Sequence, residues 1–366
     1  VKVRSVSIRN FRGIKELDLD FVDPRTGKVR DLICLIGDNG SGKTTVLQAI
    51  ALVLSLATRK ISVAEGMKWH GFLSERMSSL GATRIALEME FTDSEIQLVQ
   101  DLYAQVDETL TPDWRQANPQ ARFHPPSENR FVQVIFDQGR LSSSSGDEGI
   151  SQFMARAYAV ALLMIRPELS SLLPLCGGVF WFDQFRNLGT RMFFEQGPAS
   201  QDTNWANGVS QLREFLVGMW GFHTSPGPKS GTDYLAVLEP RLELIFPRTR
   251  LKGIAPRSTG MHVKASDFYF LIERDGQTFD IAEMSSGEQA VFSLLYEFVR
   301  LDIANSVVLI DELELHLHPP QQQALLGMLN VIGPDCQFII TTHSPYLTDI
   351  IPDEQEIRLP GGRQCL

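Results

Sequence analysis

Gly37-Asp38-Asn39-Gly40-Ser41-Gly42-Lys43-Thr44 decides the fold. Its spacing, G-x-x-x-x-G-K-[ST], is that of a loop that wraps phosphates: glycines let backbone N–H groups come close, and a lysine neutralises the β- and γ-phosphates. The flanking residues supply the context such a loop needs. Upstream, Asp31 to Ile36 is a continuous apolar run, as in a strand covered on both faces; downstream, an apolar helix is predicted from Lys43 to about Leu56. Bound phosphates would sit at the positive end of that helix, and Thr44 would ligate Mg²⁺. A chance glycine-rich turn is the competing reading, and it leaves the full spacing between strand and helix unexplained.

Two further stretches end in the same way. Val307-Val308-Leu309-Ile310-Asp311-Glu312 is an apolar strand closing on two carboxylates, the pattern of a metal-anchoring aspartate beside a water-activating glutamate. Alone it would also fit a solvated loop; with the phosphate loop upstream, Asp311 is expected to hold Mg²⁺ and Glu312 to orient or deprotonate water. Gln337-Phe338-Ile339-Ile340-Thr341-Thr342 is another strand, and it delivers His343 to the same sheet edge, where a γ-phosphate sensor would stand. A lone histidine is more often structural, so His343 takes its meaning from these neighbours.

Around this core, Val1, Val3, Val6 and Ile8 precede a break at Asn10-Phe11-Arg12-Gly13, and Leu17, Leu19 and Phe21 then alternate with acidic residues, which reads as two paired strands. Arg84 to Phe91 alternates as a half-exposed antiparallel strand, with a helix predicted from Ser94 to Thr109. Pro112, Pro119, Pro125 and Pro126 mark one irregular connection, and Ser142 to Ser145 with Gly146 and Gly149 mark a second; these are expected to be mobile. Between Gln184 and Met284 the pattern predicts a compact, mainly helical lobe ending in a hairpin turned at Asp275-Gly276, and it excludes a long coiled-coil arm. A helix from Gly287 to about Asp302 and another from Pro320 to Val331 then alternate with the two strands described above.

Composition limits the function. The 366 residues are 43% hydrophobic and 21% charged, with 34 Lys and Arg against 44 Asp and Glu, a net charge of −10. That balance excludes a protein that coats nucleic acid over its whole surface, so any such contact is expected at a local patch. Cys34, Cys176, Cys336 and Cys365 show no C-x-x-C spacing, which argues against a zinc knuckle or disulfide framework and for a reducing, cytoplasmic setting. The longest apolar run, Ala157 to Ile165, is too short for a membrane helix, and the basic N-terminus lacks an apolar h-region, so neither membrane insertion nor secretion is expected.

Five motifs in this order resemble those of the ABC-type ATPases, and within them the soluble branch of SMC proteins, RecF, double-strand-break repair ATPases and OLD-like ATPases. Gly37 to Thr44 resembles Walker A, and Gln184 in Phe180-Trp181-Phe182-Asp183-Gln184 resembles the Q-loop. Met284-Ser285-Ser286-Gly287-Glu288-Gln289 resembles the signature, Asp311-Glu312 Walker B, and His343 the switch histidine. Ile8-Arg9-Asn10-Phe11-Arg12-Gly13-Ile14 is similar to the opening of RecF and OLD-like proteins, and Glu314-Leu315-His316-Leu317-His318-Pro319 to the E-L-H-L-H-P segment at the D-loop position. The two histidines could be read as a zinc site, but the D-loop match favours a dimer contact. Ser94 to Phe180 and Arg186 to Ile281 match the family by position only.

The resemblance implies an α/β head with a RecA-like mixed or parallel core sheet, an N-terminal antiparallel β subdomain and a mainly helical signature lobe. Residues 1–185 would form the first lobe with 94–175 as a variable insertion, 186–304 the helical lobe, and 305–366 the return to the core. ATP and Mg²⁺ are the implied cofactors. Nucleotide contacts would come from Arg12, from Asn39, Gly40, Ser41, Gly42, Lys43, Thr44 and Thr45, and from Gln184. Thr44, Gln184 and Asp311 would hold the metal, and Glu312, His343 and Lys43 would carry hydrolysis. Ser285, Ser286, Gly287 and Glu288 would reach ATP on a facing protomer, which implies a homodimer with two ATP molecules between its heads. Two positions depart from the family: Ser286 replaces a usual glycine, and Leu313 stands where a proline often follows Walker B. The chain ends soon after His343, leaving no place for the TOPRIM nuclease domain of full-length OLD proteins, so a separate effector such as a nuclease is expected.

The expected function is ATP-dependent head dimerisation and hydrolysis that regulate a DNA or RNA transaction or an effector, of the DNA-repair or anti-phage-defence type. A transporter's nucleotide-binding subunit is disfavoured, because such subunits place the signature much closer to Walker A than positions 37 and 284 do here. An ATP-stabilised scaffold is disfavoured by the presence of both Glu312 and His343. Arg248, Arg250, Lys252, Arg257 and Lys264, with no Asp or Glu from Phe246 to Lys264, form a candidate nucleic-acid patch; a solvated hairpin edge fits them equally.

Overall fold

The computed structural model describes residues 1–110, 123–183, 205–227, 232–257 and 264–360. It divides into two compact units, Val1–Trp181 with Ala304–Leu313 and Pro334–Leu366, and Phe182–Ile303 with Glu314–Gly333. The stretch 314–333, read from sequence as part of the returning core, groups with the second unit.

The first unit opens with β1 (Lys2–Phe11) and β2 (Ile14–Asp20), antiparallel with Val6 opposite Leu19 and Ile8 opposite Leu17. β3 (Leu32–Ile36) leads through the phosphate loop into α1 (Lys43–Ala57). α1 is buried almost all round, so it is a core helix held by packing rather than an amphipathic surface helix. Leu47, Ile50, Leu52 and Val53 are fully buried, contributing about 1.5–3 kcal/mol each. β4 (Arg84–Glu90) alternates as expected, and α2 (Asp93–Thr109) starts at a capping box between Thr92 and Glu95. With β5 (Phe131–Asp137) and β6 (Arg140–Ser143), the antiparallel sheet has the order β2-β1-β4-β5-β6.

The Ser142–Gly149 stretch, expected as a mobile loop, instead forms the end of β6 and the start of α3 (Gly146–Ser151). Its serines act as local backbone partners: Ser143 Oγ accepts the Ser145 N–H at 3.2 Å and Ser144 Oγ accepts the Gln133 N–H at 3.1 Å. The apolar run that follows is α4 (Ala155–Leu163), which packs on α2 through Val99, Leu102, Met154, Tyr158 and Leu162. Of the connection marked by Pro112, Pro119, Pro125 and Pro126, residues 111–122 lie outside the described residues, and 123–129, with Pro125 exposed and Pro126 buried, form no helix or strand. β7 (Val179–Phe182) then closes the N-terminal part.

The second unit contains α5 (Trp205–His223), α6 (Tyr234–Ile245) and the strands β8 (Thr249–Pro256), β9 (Phe268–Arg274) and β10 (Gln277–Asp280). The hairpin turns at Asp275-Gly276 as anticipated, both residues having positive φ, 52° and 78°. β8 makes it a three-stranded sheet of order β10-β9-β8. A bulge between Leu251 and Gly253 breaks the period-two pattern there, which hid the strand from sequence. Gly253 sits where a Cβ would come within 2.8 Å of the Trp220 ring. α7 (Ser286–Arg300) and, after the Walker B strand, α8 (Pro319–Ile332) complete the unit.

β11 (Val307–Ile310), β12 (Gln337–Thr341) and β13 (Glu356–Arg358) return to the first unit and join β3 and β7 in a sheet of order β13-β3-β12-β11-β7. β12 pairs in parallel with β3 on one side and β11 on the other, with Ile340 opposite both Cys34 and Ile310. The phosphate loop, Asp311-Glu312 and His343 therefore all leave the sheet at its C-terminal edge, the edge where open α/β sheets bind ligands. Among the described residues no helix is long and apolar enough to cross a membrane.

Candidate nucleotide-binding site

Gly42 is the N-cap of α1 with φ 94°, a conformation that disfavours any side chain, and a Cβ there would also press on Ile14 at 3.3 Å. The β1–β2 turn thus packs directly beneath the loop. Lys43 is buried, its Nζ donating to the carbonyls of Gly37 at 2.8 Å and Asp38 at 3.0 Å, so the ammonium is held inside the loop's curve. Ser41 Oγ is buried and has no hydrogen-bond partner among the described residues. A buried hydroxyl without a hydrogen-bond partner among the described residues, a lysine and the N-terminus of a 15-residue helix lie together in one loop, and that donor set fits a polyphosphate.

The metal-ligating candidates meet as well. The Thr44 hydroxyl lies 3.0 Å from both carboxylate oxygens of Asp311. These are hard oxygen donors, few in number, which suits Mg²⁺, an ion that keeps several of its waters. Asp311 is buried and also accepts a hydrogen bond from Thr341 Oγ1 at 2.7 Å. Glu312 follows in the left-handed region at φ 50°, its N–H donating to the same Thr341 Oγ1 at 2.8 Å. His343 stands exposed two residues beyond Thr341.

Arg12, expected near the nucleotide, reaches the P-loop helix by a side-chain hydrogen bond to Gln48, and its Nη2 donates to Gly71 O at 2.9 Å. Burial lowers its pKa from the ordinary arginine value. It braces α1 from the side of the β1–β2 turn. Gln184 lies outside the described residues, although Asp183 before it is buried.

The signature residues belong to the second unit. Ser285 is the N-cap of α7: its Oγ accepts the Glu288 N–H at 3.3 Å, and the Glu288 carboxylate accepts the Ser285 N–H at 2.9 Å. Arg274 pairs with the same carboxylate. Burial opposes ionisation of Glu288, but these hydrogen bonds outweigh it and hold the carboxyl below its usual value. The Glu288 side chain is thus engaged by its own helix start.

A Cβ on Gly287 would lie 2.0 Å from the His316 carbonyl oxygen, so the signature helix seats directly on the 314–318 segment. Gly287→Ala is expected to push the two apart and to lower the urea midpoint by the equivalent of about 1–3 kcal/mol. Alanine is the better helix former by about 1 kcal/mol, so an unchanged or raised midpoint would contradict this close packing.

Sequence reading passed over Gln48 and Thr341. Thr341 brings a hydroxyl to the close of the apolar run Phe338-Ile339-Ile340, and nothing in that run tells which residue it faces.

Two domain families match the chain. Residues 2–152 match "AAA ATPase domain", and residues 213–349 match "AAA domain, putative AbiEii toxin, Type IV TA system". The "Retron Ec83 probable ATPase" of Escherichia coli is 30% identical over 120 residues, 30% of this chain and 22% of that protein. The "Retron Vc95 probable ATPase" of Vibrio cholerae is 36% identical over 93 residues, 22% of this chain and 18% of that protein. The "Septu protein PtuA" of Bacillus thuringiensis is 30% identical over 98 residues, 23% of this chain and 25% of that protein. The chain therefore matches a quarter or less of the length of each. Among solved structures, an SMC head bound to the C-winged helix domain of ScpA superposes with a TM-score of 0.50 at 14% identity, covering 95% of this chain and 91% of that one. This last likeness is one of fold.

Proposed function

We propose that this chain, a P-loop ATPase of the SMC/RecF/OLD-like branch, works as an ATP-gated pair of heads whose closure and hydrolysis switch an associated effector or a DNA or RNA transaction. The observation that carries the reading is the hydrogen-bonded set of Thr44, Asp311, Thr341 and Glu312 beside the Lys43 loop. Mg²⁺, when bound, supplies charge neutralisation at the β- and γ-phosphates. Thr44 and Asp311 would hold it, Lys43 would exchange its carbonyl partners for phosphate oxygens, and Glu312 would take the proton of the attacking water. His343 would sense the γ-phosphate. Ser285, Ser286 and Gly287, at the start of α7, would offer hydroxyls and backbone N–H groups to ATP on a facing protomer. Likeness to the two retron probable ATPases and to the Septu protein PtuA supports a defence-type effector over a repair role.

Phosphate release from ATP by the purified chain, dependent on Mg²⁺ and abolished by EDTA, is the expected result. Absence of release at every protein and Mg²⁺ concentration would sink the hydrolytic reading.

Nucleic-acid contact by the β8 region is a separable part of the proposal. Arg248 pairs with Asp275 at 2.9 Å and Lys252 pairs with Glu273, so two of these charges are already partly neutralised, while Arg257 lies 5.3 Å over the Tyr269 ring and keeps its charge. Changing Arg248, Arg250 and Lys252 to Glu should weaken nucleic-acid binding and reduce its salt slope by up to about 3. Unchanged affinity and slope would remove this patch from the account.

A further inference from the structure

Thr341 is fully buried at the end of β12, and its one hydroxyl serves both Walker B carboxylate residues. The oxygen donates its proton to Asp311 Oδ1 at 2.7 Å and accepts the Glu312 N–H at 2.8 Å, while the Thr341 carbonyl accepts the Leu313 N–H at 3.1 Å. These roles are mutually consistent, because a hydroxyl has one proton to give and lone pairs to receive. They also act where the backbone is strained, since Glu312 is a non-glycine residue at φ 50°. On its other side Asp311 receives the Thr44 hydroxyl, so two threonines from two elements fix the plane of that carboxylate.

We infer that Thr341 is a positioning residue for ATP hydrolysis. It aims Asp311 toward the metal position at Thr44 and locks the turn that sets the direction of Glu312. Because His343 follows two residues later, the same side chain ties the switch-histidine strand to Walker B. The inference rests on the hydrolytic reading above.

Thr341→Val keeps the shape and removes the hydroxyl; Thr341→Ser keeps the hydroxyl. In the full chain, Thr341→Val is expected to lower the phosphate-release rate by about 10- to 100-fold and to raise the Mg²⁺ concentration at half-maximal rate by a similar factor. Affinity for a fluorescent ATP analogue in EDTA should stay within about twofold, because among the described residues the Thr341 hydroxyl bonds Asp311 and Glu312 and no residue of the phosphate loop. Thr341→Ser should recover most of the rate. A second readout needs no turnover: Mn²⁺ binding in the presence of a non-hydrolysable ATP analogue, followed by electron paramagnetic resonance, should weaken by about tenfold in Thr341→Val and recover in Thr341→Ser. Wild-type Mn²⁺ affinity in Thr341→Val, or equal losses in the Ser and Val variants, would overturn the assignment. Silence of the wild-type chain in phosphate release would instead count against hydrolysis, with the Mn²⁺ measurement still deciding the role of Thr341.

Discussion

Glu312→Gln should bind ATP with near wild-type affinity and hydrolyse it about 100- to 10,000-fold more slowly, the span expected when a general base is lost. The carboxylate follows Asp311 on a turn in the left-handed region, and its backbone N–H is tied to Thr341. Glutamine preserves the size and the turn but cannot accept a proton from water. The phosphate loop does not involve residue 312, so binding and turnover should separate cleanly. Comparable phosphate release from the variant and the wild-type chain would remove Glu312 from the chemistry.

Lys43→Ala should lose ATP affinity by about 10- to 150-fold, the equivalent of about 1.5–3 kcal/mol for a charge-assisted hydrogen bond to phosphate. The ammonium is buried and already positioned by the carbonyls of Gly37 and Asp38, so little reorganisation separates its present contacts from phosphate oxygens. Calorimetric titration of ATP checks this, and Lys43→Met serves as the control for lost packing. If both variants bind as the wild-type chain does, the loop is not the phosphate site.

Much of this site could be read from sequence because its determinants are local. The glycines of the loop, the apolar β3 and α1 around it, and the acidic end of β11 each announce themselves within a dozen residues, and the Asp275-Gly276 turn follows from a two-residue rule. What stayed hidden depends on pairings distant in the chain. Nothing in the β12 sequence says that Thr341 will face Asp311, since that follows from the parallel register of β11 and β12. Gly287 looked like a ligand-binding glycine, whereas the structure also requires it for packing against His316. β8 was masked by its bulge, and α4 by an apolar run too short to distinguish strand from helix. The Ser142–Gly149 stretch misled because serine and glycine signal loops statistically, while here the serine hydroxyls meet backbone N–H groups and order the chain.

Association of Glu312→Gln, followed by sedimentation velocity in ATP and in ADP, tests the proposed ATP-gated pairing most directly. In that proposal only a nucleotide with a γ-phosphate would give the signature of a facing head something to grip, and a chain that cannot hydrolyse should remain closed. The predicted result is a dimer in ATP with Mg²⁺, a monomer in ADP, and loss of the dimer when Ser286→Arg is added. Identical sedimentation in the two nucleotides, unaffected by Ser286→Arg, would contradict it.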